Sequence, residues 1–251
     1  MQIGLIGGIG PAAQDHYCRH LIALFAQACT PLNMTIAHAD TPTLLANLAA
    51  DRRIEQAEIF AQLTERLAVA GADFVAVTSI AGHFCRRDFA SRSALPVIDM
   101  VDAIAQDVEA RSLNRIGILG TRTVMETRLY GGLEGVTVSP PSVDQMDAVH
   151  SAYVEMAAAG VVSDAQRETF YNAARDMMEA KGAQAILLGG TDLALAFDPA
   201  ISPFPLVDGV AIHARAIAKR TGLNHSIPAA AAISETAALQ SIAVACENLR
   251  D

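Results

Sequence analysis

The sequence predicts an α/β protein made of two pseudo-symmetric three-layer lobes, each with a mainly parallel sheet, and a substrate cleft between them. Three observations carry that expectation. Short apolar or β-branched runs alternate with longer stretches whose apolar residues fall at three- and four-residue spacing, the pattern of parallel strands joined by right-handed helical crossovers. The chain also echoes itself: Ile3-Gly4-Leu5-Ile6-Gly7-Gly8 returns as Ile116-Gly117-Ile118-Leu119-Gly120-Thr121, Gly71-Ala72-Asp73-Phe74-Val75 as Gly182-Ala183-Gln184-Ala185-Ile186, and Leu95-Pro96-Val97-Ile98-Asp99 as Phe204-Pro205-Leu206-Val207-Asp208. Offsets of 113, 111 and 109 residues keep these three anchors in one order at nearly one spacing, as a duplicated unit would. Finally, 251 residues suffice for two lobes that each bury a core.

Taken in order, residues 2–6 read as the first strand, ending in a glycine-rich turn that opens a helix at Pro11. Strands follow at 34–39 and 74–78, separated by a helix over 51–69, and Val97 and Ile98 make a short fourth strand after Pro96. The second set reads as strands at 115–119, 136–138, 185–188 and 206–207, with helices over 142–160 and 164–179. Dividing points fall near Asp99 and Pro205, so residues 1–98 with 206–251 form the first lobe and residues 99–205 the second. The tail from about residue 223, Ala-rich after Pro228, reads as a further helix for lobe packing or a subunit contact.

Composition excludes several classes of function. A chain that is 52% hydrophobic and 18% charged is too apolar for disorder. Its net charge of −9 argues against nucleic acid or an anionic membrane as partner, because both require a basic footprint. The start of the chain has no basic leader, and no apolar run reaches the roughly 18 residues of a membrane span. A cytoplasmic location is expected. Cys18, Cys29, Cys85 and Cys246 are scattered, with no CxxC pair or Cys/His cluster at zinc spacing, so neither a disulfide nor a metal is expected.

In parallel sheets ligands bind beyond the carboxyl ends of the strands, which directs attention to six strand-end motifs on one rim. Gly7-Gly8-Ile9-Gly10-Pro11 lets the backbone approach a ligand, and the amides of a following helix favour a carboxylate or phosphate. Read as GxGxxA with Asp40, the same stretch competes as a dinucleotide site, but the 30 residues from Gly10 to Asp40 exceed the usual separation of about 20. Thr121, Arg122 and Thr123 hold the matching place in the second lobe, where hydroxyls and a bidentate guanidinium suit a second carboxylate. Ser79 and His83 lie four residues apart, about one helical turn, and His38 and Asp40 end a strand together; capping and core roles compete at all of these. Ser139-Pro140-Pro141 and Gly189-Gly190-Thr191-Asp192 complete the set.

With those motifs assembled, the chain resembles the aspartate/glutamate racemase superfamily, from Met1 to about Arg220. The opening Ile3 to Pro11 carries the resemblance, with Gly71-Ala72-Asp73-Phe74 leading to His83, Leu119 to Glu126 with Tyr130, and Leu188-Gly189-Gly190-Thr191-Asp192-Leu193. It implies a proton-transferring isomerase that needs no cofactor, acts on a small acidic amino acid or dicarboxylate, and forms a homodimer. It also implies a pair of cysteines on opposite faces of the substrate's α-carbon, in blocks like Cys-Asn-Thr-Ala-His and Gly-Cys-Thr-Glu. Here Ser79 and Gly190 stand at the two cysteine places, and Ile80 and Ala81 replace the Asn and Thr. The expected chemistry therefore has Ser79 primed by His83 on one face, and Thr191, Asp192 or a bound water on the other. Gly8, Gly10, His38, Asp40, Thr121, Arg122 and Thr123 would bind the substrate. A lyase or decarboxylase on a related diacid, or a non-catalytic dicarboxylate-binding protein, is the alternative.

Overall fold

The computed structural model describes residues 1–8 and 11–223; Gly10 and the expected helical tail lie outside the described residues. In chain order the elements are β1 (Ile3–Gly7), α1 (Pro11–Gln27), β2 (Met34–His38), α2 (Thr41–Ala49), α3 (Arg53–Val69), β3 (Phe74–Val77), α4 (Arg86–Arg92), β4 (Val97–Ile98), α5 (Met100–Ala110), β5 (Arg115–Gly120), α6 (Arg122–Glu126), β6 (Thr137–Ser139), α7 (Val143–Ala159), α8 (Asp164–Glu179), β7 (Ala185–Gly189), β8 (Leu206–Asp208) and α9 (Gly209–Arg220). Two 3₁₀ turns, Ala81–Cys85 after β3 and Thr191–Leu195 after β7, match each other as the sequence echo does. Among the described residues no helix is long and apolar enough to cross a membrane.

The echo is realised as two four-stranded sheets of identical order, β2-β1-β3-β4 and β6-β5-β7-β8, with every neighbouring pair parallel. Parallel strands bury both faces, and period-2 alternation sorts their side chains between two helical layers. Ile3, Leu5, Phe74 and Ala76 of the first sheet join Ile116, Ile118, Ala185 and Leu187 of the second in one apolar cluster, together with residues of α1, α5 and α9. The alternate residues face outward. Ile6, Val75 and Val77 pack with residues of α2 and α3, and Leu119, Ile186 and Leu188 with residues of α7 and α8. Each sheet thus carries helices on both faces, and the two inner layers meet as a single core.

The third repeated anchor has a mechanical reason. Asp99 and Asp208 each end an edge strand and cap the next helix: Asp99 Oδ1 accepts from the amides of Val101 (2.8 Å) and Asp102 (3.0 Å), and Asp208 Oδ1 from Val210 (2.9 Å) and Ala211 (3.1 Å). Such a cap contributes about 1 kcal/mol. One expectation needs correcting. The return to the first lobe was placed before residue 206, but Leu206–Asp208 pairs with β7. The chain leaves the second sheet only after Asp208, when α9 packs on α1 of the first lobe and on α5 and touches β4, β7 and β8, because a strand following Pro205 completes the second sheet's edge before its capped helix can leave.

Candidate functional site

All strands of a sheet run in one direction, so their carboxyl ends line one rim in each lobe. On the first rim Gly8 has φ +97°, and a Cβ there would lie 2.3 Å from His38 Nδ1 and 2.7 Å from the Ala39 carbonyl oxygen, so only glycine fits where β1 ends beneath β2. His38 is exposed. Asp40 caps α2 by accepting from the Thr43 amide (2.9 Å) and hydroxyl (2.5 Å), and the bonds from Thr43 hold its carboxyl below the usual carboxylate range. Its carboxylate therefore has a structural task already.

Ser79 and His83 are both buried, but the expected priming of the Ser79 hydroxyl by His83 is not what the structure contains. His83 Nδ1 lies 2.6 Å from the Ser79 carbonyl oxygen, which can only accept, so Nδ1 carries the proton. Nε2 in turn accepts from the Met100 amide at 3.2 Å. Both ring nitrogens are thus committed to backbone, pinning the 3₁₀ turn Ala81–Cys85 to the start of α5. Burial pushes the imidazole below its ordinary range despite Asp99 nearby. The reason is topological: the turn tightens to i→i+3 bonds, bringing the ring back over its own chain.

On the second rim Thr121 caps α6, and Arg122 forms ion pairs with Glu126 (3.0 Å) and with Asp147. Thr123 lies in the first turn of α6. Beyond β7, Thr191 and Asp192 are buried. Asp192 Oδ2 accepts from the Tyr153 hydroxyl at 3.1 Å, whereas Asp192 Oδ1 is buried with no hydrogen-bond partner among the described residues. Burial raises the Asp192 carboxyl above the usual range, and burial with the adjacent Asp192 raises Tyr153. Gly190 has extended backbone, φ −143°, and a Cβ there would fall 2.2 Å from Tyr153 Cε2, 2.5 Å from Cζ and 2.7 Å from the hydroxyl.

The two rims are in contact. α1 packs on the 3₁₀ turn Thr191–Leu195, and the Tyr130 hydroxyl reaches the Ala81 carbonyl at 3.5 Å. Below them Tyr17 and His213 share a bond of 2.7 Å, with His213 Nε2 donating to the Ile98 carbonyl at 2.9 Å.

The sequence profile of the Asp/Glu/Hydantoin racemase family matches residues 6–217. The chain belongs to that family. Among solved structures, it is similar to a protein from Yersinia pestis provisionally named an Asp/Glu racemase, at 27% identity, TM-score 0.77, covering 88% of this chain and 99% of that one. It shares its fold with an aspartate racemase homologue from Pyrococcus horikoshii OT3 (22% identity, TM-score 0.76, 88% and 99% covered). The same holds for glutamate racemase from Francisella tularensis in complex with D-glutamate (14% identity, TM-score 0.60, 88% and 82% covered).

For a racemase-family chain, the most informative residue is one that sequence reasoning missed. Tyr153 sits on α7 among Met146, Val149, Ala152 and Met156, at the spacing of a core face, and so reads as packing. Yet its ring fills the volume that a side chain at position 190 would need. The available signal was Gly190 itself: a glycine where the resemblance puts a cysteine leaves space that some other residue must occupy. Also missed were His16 and His20, one helical turn apart on α1.

Proposed function

We propose that the chain is a cofactor-independent isomerase that moves a proton at the α-carbon of an acidic amino acid or related dicarboxylate. Asp192, not a thiol, would be the base on the second lobe's face. The observation that supports this most is the buried Asp192 carboxyl, with one oxygen held by Tyr153 and the other unpartnered. Leaving a buried acceptor unsatisfied costs roughly 1–3 kcal/mol, a cost that a bound ligand's donor or departing proton would offset. Its raised pKa makes Asp192 a stronger base than an ordinary carboxylate, suited to proton transfer.

In this reading Asp192 Oδ1 takes the α-proton, and the electron pair passes into the substrate carboxylate. The Ser79 hydroxyl returns a proton to the opposite face, after which solvent reprotonates Ser79 and accepts the proton from Asp192. Gly8 on the first rim and Thr121 to Thr123 on the second would hold the carboxylates, a task the family resemblance also gives to Gly10, with His38, Asp40 and Thr191 at their margins. The family resemblance also carries the expectation of a homodimer, which light scattering on the purified protein reads directly.

A second reading, a lyase or decarboxylase, is favoured by the fact that His83 has no nitrogen left to activate Ser79. Proton delivery from Asp192 to one face would then suffice. One experiment separates the readings: L-aspartate, L-glutamate and their enantiomers are incubated with the protein in D₂O and followed by proton NMR and chiral chromatography. Exchange with inversion is expected, lost in Asp192→Asn, and reduced in Ser79→Ala to exchange without inversion. Carbon dioxide or an alkene from a diacid would transfer the assignment to the second reading. Undiminished exchange in Asp192→Asn would remove Asp192 as the base.

A further inference from the structure

Among the described residues, a grouping of three ligating side chains lies where α1 of the first lobe meets the end of β8. His16 and His20 stand at i and i+4 on α1, so their imidazoles leave one helix face. Their Nε2 atoms share a hydrogen bond of 3.1 Å, which a bound cation would replace, and the rings stand nearly perpendicular at 85°. The Asp208 carboxylate completes the group, and one ligand atom from each of the three residues lies within 4.8 Å of the other two. All three residues are half-buried.

Nitrogen ligands about 2.0–2.1 Å from a zinc-sized ion, subtending an octahedral or tetrahedral angle, stand about 2.8–3.4 Å from each other. The His16–His20 separation already falls in that interval, before any metal draws the rings together. The capping bonds to α9 use Asp208 Oδ1, so Oδ2 is the oxygen not engaged in the cap. Two imidazoles and one carboxylate suit zinc, nickel, cobalt or iron(II) and leave coordination positions open. Arg215 is the opposing charge near His20; its guanidinium also reaches Asp107, at 3.7 Å.

We propose that His16, His20 and Asp208 form a binding site for one divalent transition-metal cation, bridging the inner helix of the first lobe to the last strand of the second sheet. A cation there ties together the two elements that carry the rims, since α1 also packs on the 3₁₀ turn that holds Asp192. The site does not rest on the isomerase reading, although the charge of His16 acts on the Asp192 carboxyl. It would exist whether the chain turns over an amino acid or only binds one, and it departs from the metal-free chain expected from cysteine spacing alone. The signal in the sequence is a pair of histidines four apart, which needs no cysteine to chelate.

The test uses the full chain, freed of metal with a chelator and titrated with zinc by calorimetry and with cobalt by visible absorption. One equivalent should bind, with the weak bands of nitrogen and oxygen ligation and no thiolate charge-transfer band, and zinc should raise the melting temperature. His16→Ala and His20→Ala should each weaken binding at least tenfold and abolish the thermal shift. Asp208→Asn, which keeps the cap acceptor, should weaken binding while the far-ultraviolet circular dichroism stays unchanged. Cys29→Ser should bind as the parent does. Absence of binding at 100-fold excess zinc over protein, or binding that survives in the His16→Ala/His20→Ala double variant, would overturn the proposal.

Discussion

The collision at Gly190 gives a quantitative test of how the second rim is built. Gly190→Ala adds one methyl whose position would be 2.2 Å from the Tyr153 ring. Ordinary carbon contact begins at about 3.5 Å, so the ring must retreat by about 1.3 Å. The backbone at Gly190 is extended and tolerates any residue; the whole cost therefore lies in displacing a ring packed against the Leu119, Met146, Met156 and Phe170 cluster. Overpacking of this kind costs about 1–3 kcal/mol. Tyr153→Ala leaves a cavity and an unpartnered Asp192 oxygen, at about 3–5 kcal/mol. In the double variant the methyl meets no ring, so its cost should be close to that of Tyr153→Ala alone, giving a favourable coupling of about 1–3 kcal/mol. Urea unfolding reads these values, since a 2 kcal/mol change moves the midpoint by about 1 M at a slope of about 2 kcal/mol/M. Additivity within about 0.5 kcal/mol, or a Gly190→Ala variant as stable as the parent, would refute the claim that Tyr153 fills this space.

Three further outcomes follow from the geometry. Burial, with His83 next in effect, pushes His213 down to about 3; a depressed folded-state pKa means stability fully present above about 6.5 and lost as pH falls from there toward 3, at up to about 1.4 kcal/mol per unit. Urea midpoints between pH 4.5 and 8 should fall less steeply with acid in His213→Gln than in the parent, and equal slopes would contradict the assignment. Arg122→Ala breaks only half-exposed ion pairs, so it should cost less than about 1 kcal/mol of stability; a role in holding a substrate carboxylate would show as a raised KM with kcat retained. Cys85 is buried and its thiol is pushed up to about 12 by burial, so a disulfide reagent should leave it unlabelled in the native chain while modifying exposed Cys29, as peptide mass spectrometry would show.

What was legible in the sequence was what repeats locally. Strand positions followed from apolar runs, down to the two-residue strand Val97–Ile98 after Pro96, and the likeness of the two sheets followed from duplication, whereas the strand order within each sheet came only from the fold. The partners of the site residues were not legible, because the fold supplies them from distant segments. His83 lies one turn from Ser79 in sequence, but its Nε2 is taken by Met100, 17 residues on, at the N-terminus of another helix. The return crossing was misplaced for a similar reason, since only pairing with β7 reveals that Leu206–Asp208 is still in the second sheet.

Gly190 and Tyr153 are the most distant of these pairings within one lobe. Tyr153 precedes it by 37 residues and belongs to a helical core stripe, so nothing local connects them. In the fold they share one volume, and the Tyr153 hydroxyl fixes the Asp192 carboxylate two residues beyond Gly190. A cysteine at position 190 would therefore strike the ring and disturb the bond that holds Asp192. The thiol and the Tyr153–Asp192 pair are alternatives for the same space, which predicts that Gly190→Cys alone lowers both stability and any proton exchange. Only together with a smaller residue at position 153 can the thiol be accommodated, and then Asp192 loses its hydroxyl partner. If proton exchange nevertheless rose in Gly190→Cys with Tyr153 intact, the ring would have to be displaceable at little cost and the exclusion argued here would fail.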